Sequence, residues 1–158
     1  MVLSVVASYG FRQHFAVLAD QAYLWCTDFD AQDHALMGNT NAKREIIPIS
    51  DSVLTLRDTF QTEKGTVVKD KRVQLDSDHL CWVSIHLSGP NRGSKFTYLI
   101  SAEKDGGSSL EFRATHIEYQ NLTQKQTEQL TEQLCKHDAD VWVRLAKAME
   151  KELNTQGL

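Results

Sequence analysis

Between Lys43 and Tyr119, turn-forming residues interrupt the chain at intervals of about one strand, and the pattern stops after Asn121. The joints are Asp51-Ser52, Glu63-Lys64-Gly65, Asp76-Ser77-Asp78, Gly89-Pro90-Asn91-Arg92-Gly93 and Asp105-Gly106-Gly107. Glycine reaches backbone angles closed to other residues, and Asp, Asn and Ser bond their own backbone, so such clusters end strands and reverse the chain. Beyond Asn121 the period changes. Leu130, Leu134, Val141, Leu145 and Ala148 recur at helical steps, with Trp142, Met149 and Leu153 widening the stripe. Short strands followed by one long amphipathic helix predict an α+β fold in which a curved antiparallel sheet grips the helix, a shape that tends to enclose a pocket.

The remaining elements follow from the same rules. Phe11 to Leu18 reads as the first strand, lengthened backward through Val5-Val6-Ala7. Asp20 stands where an N-cap belongs, ahead of Gln21 to Cys26, and Asp30 repeats the arrangement before Ala31 to Met37, with Gly38 as the stop. Two short helices are therefore expected between the first strand and the rest. Thr123-Gln124-Lys125-Gln126 fits a capping box and opens a helix to Asn154, about 48 Å long at ~1.5 Å per residue. The 158 residues hold no linker, repeat or low-complexity tract, so residues 1–158 are expected to form a single ligand-binding domain.

Alternation assigns faces to the strands. Leu54, Leu56 and Phe60 share a side with Asp58; Cys81, Val83, Ile85 and Leu87 form the drier side of their strand, against Trp82, Ser84 and His86. Tyr98 goes with Phe96 and Ile100, and His116 with Leu110, Phe112 and Ala114. Thr66 to Leu75 is charged on both sides, as near an edge. The outward Trp82 marks either a partner contact or an inverted strand that would send Ser84 and His86 inward.

Composition narrows the function. A net charge of −4 and a pI near 5.8 give no general attraction to phosphate backbones, so no nucleic-acid partner is expected. The three cysteines are far apart and lie in apolar stretches, as buried reduced thiols would. No stretch approaches the roughly 20 apolar residues of a membrane span, and the first residues lack a basic start, so the cytoplasm is the expected location. No histidine pair has the spacing of a helical metal site, and nucleophile and phosphate-loop signatures are missing, so neither metal nor cofactor is expected. Gly89 to Gly93 reads as a hairpin loop. Nothing in the sequence favours a dimer over a monomer.

The order of elements resembles the helix-grip superfamily of START-related lipid-transfer domains, pollen-allergen-like plant proteins and aromatic polyketide cyclases. Two stretches carry the resemblance. Ala19-Asp20-Gln21-Ala22-Tyr23-Leu24-Trp25, running into Thr27-Asp28-Phe29, looks like the start of that superfamily's first helix, and Val141 to Glu150 looks like its grip helix. The resemblance implies a seven-stranded antiparallel sheet, two short helices after the first strand, and a cavity for a lipid, isoprenoid or polyketide-like molecule. Binding or transport of a small hydrophobic molecule is the leading expectation. A cyclase-like enzyme and an interaction module with a filled core stand as alternatives.

The expected lining is Leu54, Leu56, Phe60, Val83, Ile85, Tyr98, Phe112, Val141, Leu145 and Met149, with Asp58 and His116 as polar anchors. Asp58, Tyr98 and His116 could hold a polar head or move protons on a carbonyl, or simply be polar groups satisfied by backbone and water. His137 and Asp138 sit at the margin of the helical stripe, where a solvated pair is the plainer reading.

Overall fold

The computed structural model describes residues 3–30 and 41–155. The expected helix from Ala31 to Met37 lies outside them. Strand β1 (Val5–Phe15) leads to helix α1 (Ala19–Cys26); strands β2 (Ala42–Pro48), β3 (Val53–Thr62), β4 (Gly65–Asp76), β5 (Cys81–His86), β6 (Lys95–Ala102) and β7 (Ser108–Glu118) follow, and helix α2 (Gln124–Thr155) closes the chain. The strands form one seven-stranded sheet in the order β1-β7-β6-β5-β4-β3-β2. Every pairing is antiparallel.

Local chemistry sets the helix ends. The capping box forms as the sequence implies: Gln126 N–H donates to Thr123 Oγ1 at 3.1 Å, and Thr123 N–H donates to Gln126 Oε1 at 2.9 Å. Helix α1 departs from expectation, since it starts at Ala19 after an extended Leu18 with no side-chain cap. Asp20 lies inside the first turn, where its carboxylate still meets the positive end of the helix dipole. Thr27 closes α1, its hydroxyl donating to Tyr23 O at 2.7 Å.

The register fixes which residues share the inner face, toward the helices. Arg44 pairs with Asp58 and Asp58 with Lys69; Leu56 pairs with Lys71 and Lys71 with His86. The next row runs Leu75, Trp82, Tyr98, Phe112, Phe11. Strand β5 is thus inverted relative to the first face assignment. Trp82 is 3% exposed and packs edge-on against Tyr23 of α1, with ring centroids 5.8 Å apart, while Val83 and Ile85 lie on the outer face, Ile85 at 38% exposure. Burying the large indole removes more apolar surface from water than burying Val83 and Ile85 would, and the short β5 turns to match.

Helix α2 runs alongside β1 in the same direction. Cys135 approaches Gly10 O, Tyr9 bonds Asp138, and Glu150 accepts from Ala16 N–H. Gly10 suits the tight β1–β7 pairing, because a Cβ there would stand 2.7 Å from Phe112 O of β7. The C-terminal half of α2 buries Val141, Leu145, Ala146 and Met149, whereas Leu130 and Leu134 further up the helix are only half-buried. At the sheet's other edge, β2 ends in Pro48 and turns Lys43 and Glu45 outward, features that discourage edge pairing.

The sheet curls. In a flat sheet β4 would lie about 19 Å from β1, four strand spacings away. Lys71 of β4 nevertheless acts electrostatically on the Asp138 carboxyl, which is bonded to Tyr9 of β1.

Candidate functional site

The inner face carries a polar group at the β2–β4 end and an aromatic wall beside it. Arg44 grips Asp58 with both arms, Nε to Oδ1 at 2.7 Å and a terminal nitrogen to Oδ2 at 3.0 Å. Lys71 Nζ stands 3.5 Å from the same Oδ2. The Asp58 side chain is fully buried and Arg44 is 6% exposed, so this is an interior ion cluster of two cations on one carboxylate. Arg44 and Lys71 were not among the sequence candidates. A carboxylate placed on an inner face needs a counter-charge, and Lys69 and Lys71 share the parity of Val73 and Leu75 in β4; those two signals together would have found Lys71.

Next to Lys71 lies His86. Burial, then the nearby Lys71 and Lys69 charges, push its pKa down to about 3, so the ring is neutral at physiological pH. Its ring sits 5.0 Å from that of Phe96. Beyond, Tyr98 stacks on Trp82 with centroids 4.6 Å apart and planes 3° from parallel, and it meets Trp142 of α2 at 6.0 Å. Across from them Tyr9 Oη donates to Asp138 Oδ2 at 2.5 Å. Burial raises the Asp138 carboxyl above its ordinary range, opposed by that hydrogen bond; burial and the Asp138 bond together raise the Tyr9 phenol. Of the pair at the stripe's margin, Asp138 faces inward and His137 is exposed.

These side chains border a hollow. Tyr98 lies on the inner face with part of its surface accessible, and 24% of the Lys71 side chain is accessible there too. Accessible surface on inner-face side chains marks space between the sheet and α2. The Tyr98 hydroxyl has no hydrogen-bond partner among the described residues, and burial raises its pKa. A phenol, a neutral imidazole and a carboxyl with proton-holding tendency are groups that can donate to or accept from a bound molecule's oxygens.

The other sequence candidates are spread more widely. Leu54 and Phe60 are part-accessible on the inner face. Leu56, Phe112 and Met149 are packed solid at 3%, 2% and 0% exposure, and Val141 and Leu145 are also buried. The two polar anchors are already engaged: Asp58 by Arg44 and Lys71, and His116 by Glu118, whose Oε2 lies 2.9 Å from Nε2. Asn91 completes the group: its Nδ2 lies 3.1 Å from the same Nε2 and donates to Ile117 O and Glu118. Of the three cysteines, Cys26 is buried, and Cys81 and Cys135 are partly exposed.

Two other features lie apart from the hollow. An open groove of about 590 Å³ runs between Val5, Val6 and Leu122 and the first turns of α2, rimmed by Glu128 and Glu132. It has neither the aromatic wall nor the ion cluster. His14, Glu103 and Asp105 bring three ligand-type atoms within 4.8 Å of one another in full solvent exposure.

No protein-family profile matches the sequence, and no curated protein is similar to it. Solved structures are. The aromatase/cyclase of Streptomyces sp. R1128 superposes with a TM-score of 0.69 at 12% identity, over 94% of this chain and 93% of the other. Norcoclaurine synthase of Thalictrum flavum, determined with dopamine and hydroxybenzaldehyde, gives 0.69 at 13% identity, over 98% and 90%. A START superfamily protein of Mycobacterium smegmatis gives 0.66 at 14% identity, over 94% and 98%. No helix among the described residues is long and apolar enough to cross a membrane. With its seven-stranded antiparallel sheet and long C-terminal helix, the chain has the helix-grip fold of the START-related, pollen-allergen-like and polyketide-cyclase proteins.

Proposed function

We propose that this chain is a single-domain cytoplasmic protein that binds a small hydrophobic or amphipathic molecule between the sheet and α2. The observation that carries this reading is the set of partly accessible side chains, Tyr98 and Lys71 above all, on the inner face. Around them Tyr9, Phe11, Phe96 and Trp142 are partly buried against the core, leaving apolar surface that a ligand can cover at roughly 25 cal/mol per Å². The free thiols of Cys81 and Cys135 suit a reducing compartment. The similar structures supply the precedent, since the norcoclaurine synthase was solved with aromatic small molecules.

Organic extraction of the purified protein followed by mass spectrometry tests the proposal, together with displacement of an apolar fluorophore. A co-purifying amphiphile, or saturable dye binding abolished by Tyr98→Trp, is the expected result. An empty protein with no saturable dye site would refute it.

A further inference from the structure

We infer that the hollow takes its ligand by an acidic head, a carboxylate on an aromatic or polycyclic body, seated on the Lys71 ammonium beside Arg44. This deepens the binding reading above and rests on it. An ammonium has three protons to place. Lys71 has a single acceptor among the described residues, Asp58 Oδ2 at 3.5 Å, a long contact. Asp58 is already committed to Arg44 through two shorter bonds of 2.7 and 3.0 Å. Arg44 and Lys71 therefore share one carboxylate, and Lys71 is the less well served of the two. Burial lowers the Lys71 pKa, and Arg44 and Lys69 lower it further; Asp58 opposes this without cancelling it. An enclosed cation with unmet protons on the wall of a void is a place for an anion.

The surroundings fit one negative group and no more. His86, opposite Lys71 in the register, is neutral and offers polarity without repelling either sign. Asp138, on the far wall, feels the Lys71 charge but is already engaged by the Tyr9 hydroxyl. Between the two ends the wall is aromatic: Phe96 at 5.0 Å from the His86 ring, then Tyr98, then Trp142. Ring faces accept flat apolar bodies by offset stacking. The unpartnered Tyr98 hydroxyl offers a second donor for an oxygen on that body.

The test is calorimetric titration of the full chain at pH 7.5 with 2-naphthoate and with naphthalene-2-methanol, which share a ring system and differ in the head. The carboxylate should bind about tenfold tighter or more, the worth of a charge-assisted contact in an enclosed site. Lys71→Met should bring the two affinities within about twofold, with the alcohol unchanged, and Lys71→Arg should keep the preference. Equal binding of both by the native protein would overturn the acidic-head inference and leave the hollow standing. Binding of neither would overturn the inference and the binding reading together. A preference that survives in a folded Lys71→Met protein would equally overturn it; if that variant does not fold, the native pair and Lys71→Arg decide.

Discussion

Replacing Asp58 by Asn changes one oxygen for an amide nitrogen and leaves Arg44 and Lys71 inside the protein without a counter-charge. Asp58 is fully buried and Arg44 is 6% exposed, so neither can recover its loss from bulk water; Lys71, with 24% of its side chain accessible, recovers part. Removing one partner from a buried ion pair costs about 3–5 kcal/mol, and the relief at Lys71 places Asp58→Asn near the lower end, about 3 kcal/mol. For a chain of this length each kcal/mol moves the midpoint by about 2–4 °C, so the melt should fall by roughly 6–12 °C. Urea and thermal denaturation of the variant and the native protein, followed by circular dichroism, read the effect. The companion variant Arg44→Met/Asp58→Leu/Lys71→Met removes all three charges at once and should be less destabilised than Asp58→Asn alone. An Asp58→Asn protein within about 1 kcal/mol of native stability would refute the argument, because a cost that small belongs to a solvated pair.

Two further outcomes are expected. Trp82→Ala deletes a 3%-exposed indole between Tyr98 and Tyr23 and should cost about 3–5 kcal/mol in urea unfolding; a loss under about 1 kcal/mol would mean that β5 is not turned inward. His86 has a native pKa near 3 against an ordinary 6.5, so the unfolded chain takes up a proton that the native chain refuses. Stability contributed by the neutral ring is therefore lost as pH falls from about 6.5 toward 3, and His86→Gln should flatten that part of the stability–pH curve. NMR titration of the His86 ring down to pH 4.5 checks the cause, and a midpoint near 6.5 would contradict it.

The sequence revealed the parts of this fold that depend on local chemistry. The capping box at Thr123 and Gln126 is a contest between neighbours three residues apart, and it forms as read. The inner parity of Leu54, Leu56 and Asp58 was likewise legible, because Leu54, Leu56 and Phe60 recur at every second step while Arg57 between them is exposed. Strand β5 was not, since Trp82 and Ile85 are both apolar and only the approach of Tyr23 from α1, 59 positions away in the chain, decides which turns in. The ion cluster was missed for a related reason. Asp58 could be placed inside, but its partners come from β2 and β4, and pairing across strands depends on a register that single-strand patterns do not carry. Tyr9 and Asp138, 129 residues apart, meet only because α2 lies along β1.

That placement of α2 governs when the protein becomes able to function. Strand β1 is made first, and its companions Cys135, Asp138 and Glu150 follow more than 120 residues later. Until they leave the ribosome, Phe11, Tyr98 and Phe96 have no roof and stand open to water and to other chains. Covering the aromatic wall and escaping aggregation thus share a single event, the docking of α2 onto β1.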